Sequence, residues 1–422
     1  MKGLPESIGA LRERPFRLLW LGQTTSAIGD AMTGVALTFA VLGTNGSATD
    51  LGIVLGAFTI AHAVFILVGG VWSDRLPRRL VMLAADLVRA VVQGTLAVLL
   101  ISGSAELWHF VVIAFVTGAA ESFFGPASTG LIPQTISPER LQQANALIAL
   151  TRSGSWIFAP ALSGVLVAVF GAGWVFAIDA ASFLASAVFL SLLRVPLPPP
   201  PERQSFVADL AQGWREVRAR QWVWASLVAF GIGNMAWEAF SVLGPVVAER
   251  EFDGATTWGL LSAAGGIGGV LGGVLVLRWR PSRPLLVSHL VILIFGVQLA
   301  AFALPLPIVA LLTLSLLAHL AVVLANTVWE TVLQAKVPRA SLSRVSSYDY
   351  AVSFIFMPIG YAIWGPLADV IGIRTTLLLA AGILVATKLV VVLSPEIRRM
   401  GPVGAATGVA DDEIAAAPVA TA

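Results

Sequence analysis

The sequence predicts an all-α membrane protein, with twelve transmembrane helices in two pseudo-symmetric six-helix bundles. Three observations carry that reading. The 422 residues are 57% hydrophobic and only 12% charged, against about 45–50% apolar and about 25% charged in soluble domains. Apolar stretches long enough to cross a bilayer, about 20 residues each, recur from end to end. The punctuating residues repeat once, with an offset of about 200 positions, as expected of paired bundles.

Apolar runs and their polar breaks place spans at 16–42, 50–73, 79–102, 107–130, 142–170, 173–193, 222–248, 256–277, 284–304, 307–335, 343–368 and 372–394. Residues 1–15 are polar and Arg-bearing, and no Ala-x-Ala site follows the first run, so it is expected to be a retained span. Nearly every Lys and Arg outside the spans, from Lys2 to Arg399, falls on one side of this topology. The other side receives only Arg250 and Arg374. Both termini are therefore expected in the cytoplasm of a plasma-membrane protein.

The same punctuation divides the chain. Residues 1–193 form the first bundle and 222–395 the second. Between them, the linker 194–221 opens with the proline run from Pro196 to Pro201, a stiff spacer. It continues with Phe206, Leu210, Trp214 and Val217 on one helical face, the pattern of an amphipathic helix on the membrane surface. Residues 396–422, rich in Ala, Gly and Pro, are expected to be a disordered cytoplasmic tail.

The repeat is read from matched positions in the same order. Ile28-Gly29-Asp30 matches Ile232-Gly233-Asn234, and Gly69-Gly70-Val71 matches Gly272-Gly273-Val274. Pro138 and Arg140 match Pro338 and Arg339, and Ala159-Pro160 matches Met357-Pro358.

Several functions are argued against. There is no cysteine, which excludes disulfides and thiolate metal sites. His62, His109, His289 and His319 lack ligand spacing. The glycine run from Gly265 to Gly273 lies inside an apolar span without a flanking Lys-Ser/Thr, so it serves helix packing rather than a phosphate. No Walker sequence and no nucleophile–base set point to ATP hydrolysis or to an enzyme.

The segment Gly70-Val71-Trp72-Ser73-Asp74-Arg75-Leu76-Pro77-Arg78-Arg79, wedged between spans 2 and 3, resembles a known signature. It is similar to the Gly-x-x-x-Asp-Arg-x-x-Arg-Arg loop of the major facilitator superfamily. Its second copy keeps Arg278, Arg280 and Arg283 but has Leu277 in place of the acid. Ala159-Pro160-Ala161-Leu162-Ser163-Gly164 looks like a degenerate Gly-Pro-x-x-Gly-Gly antiporter motif, with Ala and Ser for two glycines. Ile28-Gly29-Asp30 and Glu121 to Pro126 resemble the macrolide and enterobactin exporter-like group.

The resemblance implies a central cavity lined by spans 1, 4, 7 and 10. Each of these carries an acid: Asp30, Glu121, Glu238 and Glu330. Ionisable groups inside spans are functional candidates by default. Asn234 lies four residues before Glu238, and Asn326 four before Glu330, so each pair shares a helix face. Arg152 in span 5 is expected as the buried counter-charge, while Asp86 and Arg89, three apart, read as a local pair. Trp156, Trp237 and Trp329 are candidates for an aromatic cavity wall, with helix packing as the competing reading. Lys388 is deep in span 12 and has no assigned role. Gly70, Asp74, Arg75, Arg78, Arg79 and Pro160 are expected to act as a conformational gate.

The implied function is secondary active export of hydrophobic or amphiphilic small molecules (drug, macrolide or siderophore-like) by proton antiport and alternating access. A lipid or metabolite carrier, or a non-transporting receptor of the same fold, is the alternative. No cofactor beyond a proton gradient is expected. The expected partners are a small molecule and the lipid bilayer, without nucleic acid, around a monomer.

Overall fold

A computed structural model describes residues 6–44, 46–195, 214–276, 279, 281–337 and 339–402. The described residues are helical throughout, with no strand among them. Helices suit a chain that must satisfy its backbone hydrogen bonds internally inside lipid. The first six are α1 (Arg14–Gly43), α2 (Ala48–Arg75), α3 (Arg78–Ile101), α4 (Leu107–Thr135), α5 (Leu141–Phe170) and α6 (Ala172–Leu192). The second six are α7 (Gln221–Glu251), α8 (Gly254–Val276), α9 (Pro284–Phe302), α10 (Ile308–Lys336), α11 (Arg339–Ile371) and α12 (Ile373–Val391). Within α9 the helix is interrupted at Ile292, dividing Pro284–Val291 from Leu293–Phe302. A short helix, α13 (Pro395–Arg399), follows.

Several span boundaries have a local cause. Before α2, the Asp50 carboxylate accepts from the Ser47 amide at 2.7 Å and the Ser47 hydroxyl accepts from the Asp50 amide at 3.2 Å, a reciprocal cap. Glu106 and His109 form the equivalent box before α4. The joints α5–α6 and α11–α12 both turn on a glycine, Gly171 and Gly372, each at φ 85°. That backbone region is open to glycine and strained for other residues. The shared joint is a conformational trace of the internal repeat.

We call the membrane face that holds both ends of the described chain the terminal end, and the opposite face the far end. At the terminal end the bundles keep separate cores, one around Phe16, Met82 and Leu131 and the other around Trp222, Trp329 and Val345. At the far end, Val35, Phe39 and Ala48 of the first bundle join Phe240, Leu243 and Tyr361 of the second in one dry core. The bundles meet where α2 crosses α11 and where α5 crosses α8. Glycine permits both crossings. A Cβ on Gly365 would lie 2.5 Å from the Thr49 Cα, and one on Gly259 would lie 2.6 Å from the Pro160 carbonyl. Small residues at such crossings let backbones touch. The far end is additionally pinned by Thr49 Oγ1, which donates to Asp369 Oδ2 at 2.6 Å.

Two expectations about the connecting segments change. The tail does not begin at 396, because residues 395–399 are helical and docked. The Ile397 side chain is fully buried, and the Glu396 carboxylate accepts from the Trp222 amide at 2.9 Å. This carboxylate caps an otherwise orphaned donor at the start of α7. Residues 403–422 lie outside the described residues. In the linker, 196–213 also lie outside them, including Phe206 and Leu210. Residues 214–218 are helical, with Val217 buried and the Trp214 ring 5.7 Å from that of Tyr348. This turn packs on the second bundle.

Candidate substrate cavity and its charge cluster

A cavity of about 520 Å³ lies within the first bundle, lined from α1, α3, α4 and α5, with Leu55 and Phe58 from α2 and Phe176 from α6. Its polar wall includes Gln23, Thr24, Asp30, Arg89, Gln93, Glu121 and Arg152. Its aromatic wall is Trp20, Phe58, Phe124, Trp156 and Phe176. Cavities of this size and mixed lining are typical of small-molecule sites.

Arg89 organises the polar wall. Its side chain is 1% exposed and holds Asp86 at 2.7 Å, Glu121 at 2.9 Å and Asp30 at 3.6 Å. The first two are charge-assisted hydrogen bonds, while the third is a looser ion pair. The guanidinium also lies between the Phe124 and Phe183 rings, at 4.4 and 4.3 Å from their centroids, a favourable setting for a desolvated cation. Three helices thus converge on one side chain: α1, α3 and α4.

Exposure distinguishes the partners. Asp30 and Glu121 are 40% and 38% exposed, whereas Asp86 is fully buried. The Arg89 charge is therefore buried at the base of the wall, and the two carboxylates stand in front of it. Both are open to a proton or a cationic group in the cavity. A fourth acid, Asp179 on α6, is fully buried beside the cluster. It is reached because α1 has glycine at position 29, where a Cβ would run into Asp179 and Ser182. The Gly29-Asp30 pair accordingly seats α1 on α6 and presents the next side chain to the cavity.

The predicted site residues separate into two groups. Asp30, Glu121, Arg152 and Trp156 all line the cavity. Arg152, however, is exposed and makes no ion pair among those recorded for the described residues. The buried counter-charge is Arg89, which reaches past its i−3 neighbour to two other helices. Its spacing from Asp86 is the only signal the sequence carries, and the reach to α1 and α4 is a tertiary fact.

The second-bundle candidates are not on this wall. Asn234 is half-buried and Glu238 buried, while Asn326 and Glu330 are exposed. None of the four lines the described cavity. Trp237 stacks on Phe295 at 3.7 Å, and Trp329 packs edge-on to Trp222 and Phe230 while donating to Asp349 Oδ2 at 2.9 Å. Both are packing residues, so of the three aromatic candidates Trp156 alone faces the cavity. Lys388 has no ion pair among those recorded. Its Nζ donates to the Ala229 carbonyl at 3.2 Å and lies 4.4 Å from the Phe230 centroid.

The gate candidates are partly described. The side chains of Gly70-to-Arg75, including Asp74, lie outside the described residues. Arg78 donates to the Gly130 carbonyl at 2.6 Å, and Arg79 to the Leu193 carbonyl at 2.6 Å. Arg79 thus closes the C-terminal end of α6, where a cation complements free carbonyls. Pro160 offers its carbonyl to the crossing of α5 and α8 at Gly259.

Comparison with known proteins agrees with this architecture. The Major Facilitator Superfamily model matches residues 19–361. Multidrug efflux pump Tap of Mycolicibacterium fortuitum is 27% identical over 403 residues, covering 92% of this chain and 97% of that protein. Macrolide efflux protein A of Streptococcus pyogenes is 24% identical (91% and 97% covered), and enterobactin exporter EntS of Salmonella typhi 28% identical (93% and 95% covered). Among solved structures, the nucleoside transporter NupG superposes with a TM-score of 0.69 at 15% identity, covering 91% of this chain and 98% of that one. An inward-facing, unoccupied bacterial homolog of the human lysosomal transporter Spinster gives 0.66 at 16% identity, with 94% and 97% covered. These structural likenesses speak to the fold. The chain is a multi-pass membrane transporter, not an enzyme, and belongs to the Major Facilitator Superfamily.

Proposed function

We propose that this transporter exports hydrophobic or amphiphilic small molecules across the plasma membrane in exchange for protons. The observation that carries the proposal is the arrangement of Asp30 and Glu121, both open to the cavity and both held from behind by Arg89. Arg89 fixes the two carboxylates in place, so a proton and a cationic or polar substrate group compete for the same oxygens. The aromatic wall of Trp20, Phe58, Phe124, Trp156 and Phe176 supplies apolar contact for the rest of the molecule. The efflux activities in the names of the relatives support export of compounds of this kind.

Alternating access follows from rocking one bundle against the other. The far end is closed by the shared core, and the cores at the terminal end are separate. With the termini in the cytoplasm, as the Lys and Arg distribution favours, this arrangement is the cargo-loading state. The test is accumulation of a panel of lipophilic and cationic compounds in an efflux-deficient bacterial host. The native chain is expected to lower accumulation of at least one compound. A proton uncoupler, Asp30→Asn or Glu121→Gln should remove that effect at matched expression. Efflux that persists in all three conditions overturns proton coupling through this site.

A further inference from the structure

The far-end closure contains a buried acid outside the cavity. Glu238 on α7 is 1% exposed and is not among the cavity-lining residues. None of the ion pairs recorded for the described residues includes it. Its Oε2 is buried with no hydrogen-bond partner among the described residues. The polar groups beside it are the hydroxyls of Tyr361 and Ser241.

Tyr361 connects this acid to the other bundle. Its hydroxyl faces Glu238, Ser241 and Thr59, and Thr59 belongs to α2. Its backbone lies at the α2–α11 crossing: a Cβ on Gly52 would strike the Tyr361 carbonyl, and one on Gly56 would touch the Tyr361 Cβ at 3.6 Å. The preceding residue, Gly360, sits where a Cβ would lie 2.9 Å from the Glu238 Cβ. One side chain thus bridges the acid on α7 and the helix of the opposite bundle that closes the far end.

Resting on the reading of the chain as a proton-driven exporter, we propose that Glu238 is a second proton-binding site, and that Tyr361 is the positioning residue through which it controls far-end closure. A phenol has one proton to donate, and a carboxyl group changes from acceptor-only to partial donor when protonated. Gain or loss of a proton at Glu238 therefore redistributes the Tyr361 hydroxyl between α7 and Thr59 of α2. An uncompensated buried charge is costly, so the closed and open far ends differ in how they accommodate each form. Opening separates α2 from α11 and uncovers Glu238 to the side from which protons enter in export.

The titratable groups on the helices around this part of α7 leave the role open to Glu238. Tyr361 comes from α11, and Asn234 lies one turn away on α7. His319 of α10 is 5.2 Å, ring to ring, from Trp237, and Lys388 of α12 lies against Gly233. On α2, His62 stacks on Phe58 beyond Thr59. Trp258 of α8 and Phe295 of α9 pack on the neighbouring α7 rings Phe240 and Trp237 and carry no charge.

The cysteine-free chain allows a direct test by spin labelling. Labels on Ser104→Cys and Leu304→Cys, exposed far-end loop positions in different bundles, report the far-end distance in lipid nanodiscs. Native Glu238 should give two distance populations whose ratio changes between mildly acidic and mildly alkaline buffer. Glu238→Gln should fix one ratio at both conditions. Tyr361→Phe should raise the open population and lose the pH response. A native-like pH response in Glu238→Gln, or no response in the native background, overturns the proposal. Uncoupler-insensitive efflux would instead overturn the proton-driven part of the exporter reading, whatever the labels report.

Discussion

The two bundles share a plan and differ in what they do with buried charge. In the first, α1, α3 and α4 bring acids to one guanidinium, and the partly hydrated side of that cluster opens on the cavity. In the second, Glu238 and Lys388 stay apart, and the helices pack through aromatic rings: Trp237 stacked on Phe295, Phe240 edge-on to Phe302 and Trp329 edge-on to Phe230. The same repeated glycine shows the divergence. Gly29 lies against Asp179 of α6, and its counterpart Gly233 lies against Lys388 of α12. One repeat gathers its buried charges around a single guanidinium beside the cavity, and the other keeps its acid and its amine apart.

The sharpest way to break this comparison is Arg89→Met. It leaves Asp86 fully buried without its cation and frees Asp30 and Glu121, and losing one partner of a buried ion pair costs about 3–5 kcal/mol. We expect a large fall in melting temperature and loss of efflux. Unchanged stability would mean the cluster is not what holds α1, α3 and α4 together. Lys388→Met is the matched experiment in the second bundle. The amine has one backbone acceptor and no paired acid among the recorded ion pairs, and an apolar replacement of similar volume is often neutral or stabilising. Its melting temperature is expected to hold or rise, with efflux retained. Loss of efflux would show the second bundle to be chemically active at that position.

Smaller effects sharpen the picture. Gly259→Val forces side-chain atoms into the Pro160 carbonyl at the α5–α8 crossing, and overpacking costs about 1–3 kcal/mol. The expected signature is a shift of the spin-label distances toward an open far end. Arg152→Gln should change stability by no more than about 0.5 kcal/mol, as for surface substitutions, because that side chain is exposed and unpaired among the recorded contacts. Its expected effect is a changed substrate preference across the compound panel, because the side chain lines the cavity.

What the sequence revealed follows the same division. The spans were legible because each must supply a bilayer-length apolar run, and their observed limits lie close to the expected ones. Asp30 and Glu121 were legible because an acid in such a run is expensive and therefore conspicuous. Arg89 does pair locally with Asp86 as read, but its reach to Asp30 and Glu121 was missed, because spacing along one helix says nothing about which other helices lie across from it. Trp237 and Trp329 were ambiguous for a related reason. Spans apolar on every side carry little periodicity to indicate which face turns inward. The expected burial of Arg152 failed on that same missing rotation.

The crossings that join the bundles are made largely of backbone meeting backbone. At Gly52, Gly164, Gly259 and Gly365, what the opposite helix offers is a carbonyl or a Cα rather than a distinctive side chain. Such a joint has almost no vocabulary: it asks its partner for smallness and little else. The first bundle is then free to change its cavity without renegotiating the contact with the second. New cargo can arise by substitutions confined to one half, and first bundles exchanged between relatives should carry their substrate range with them.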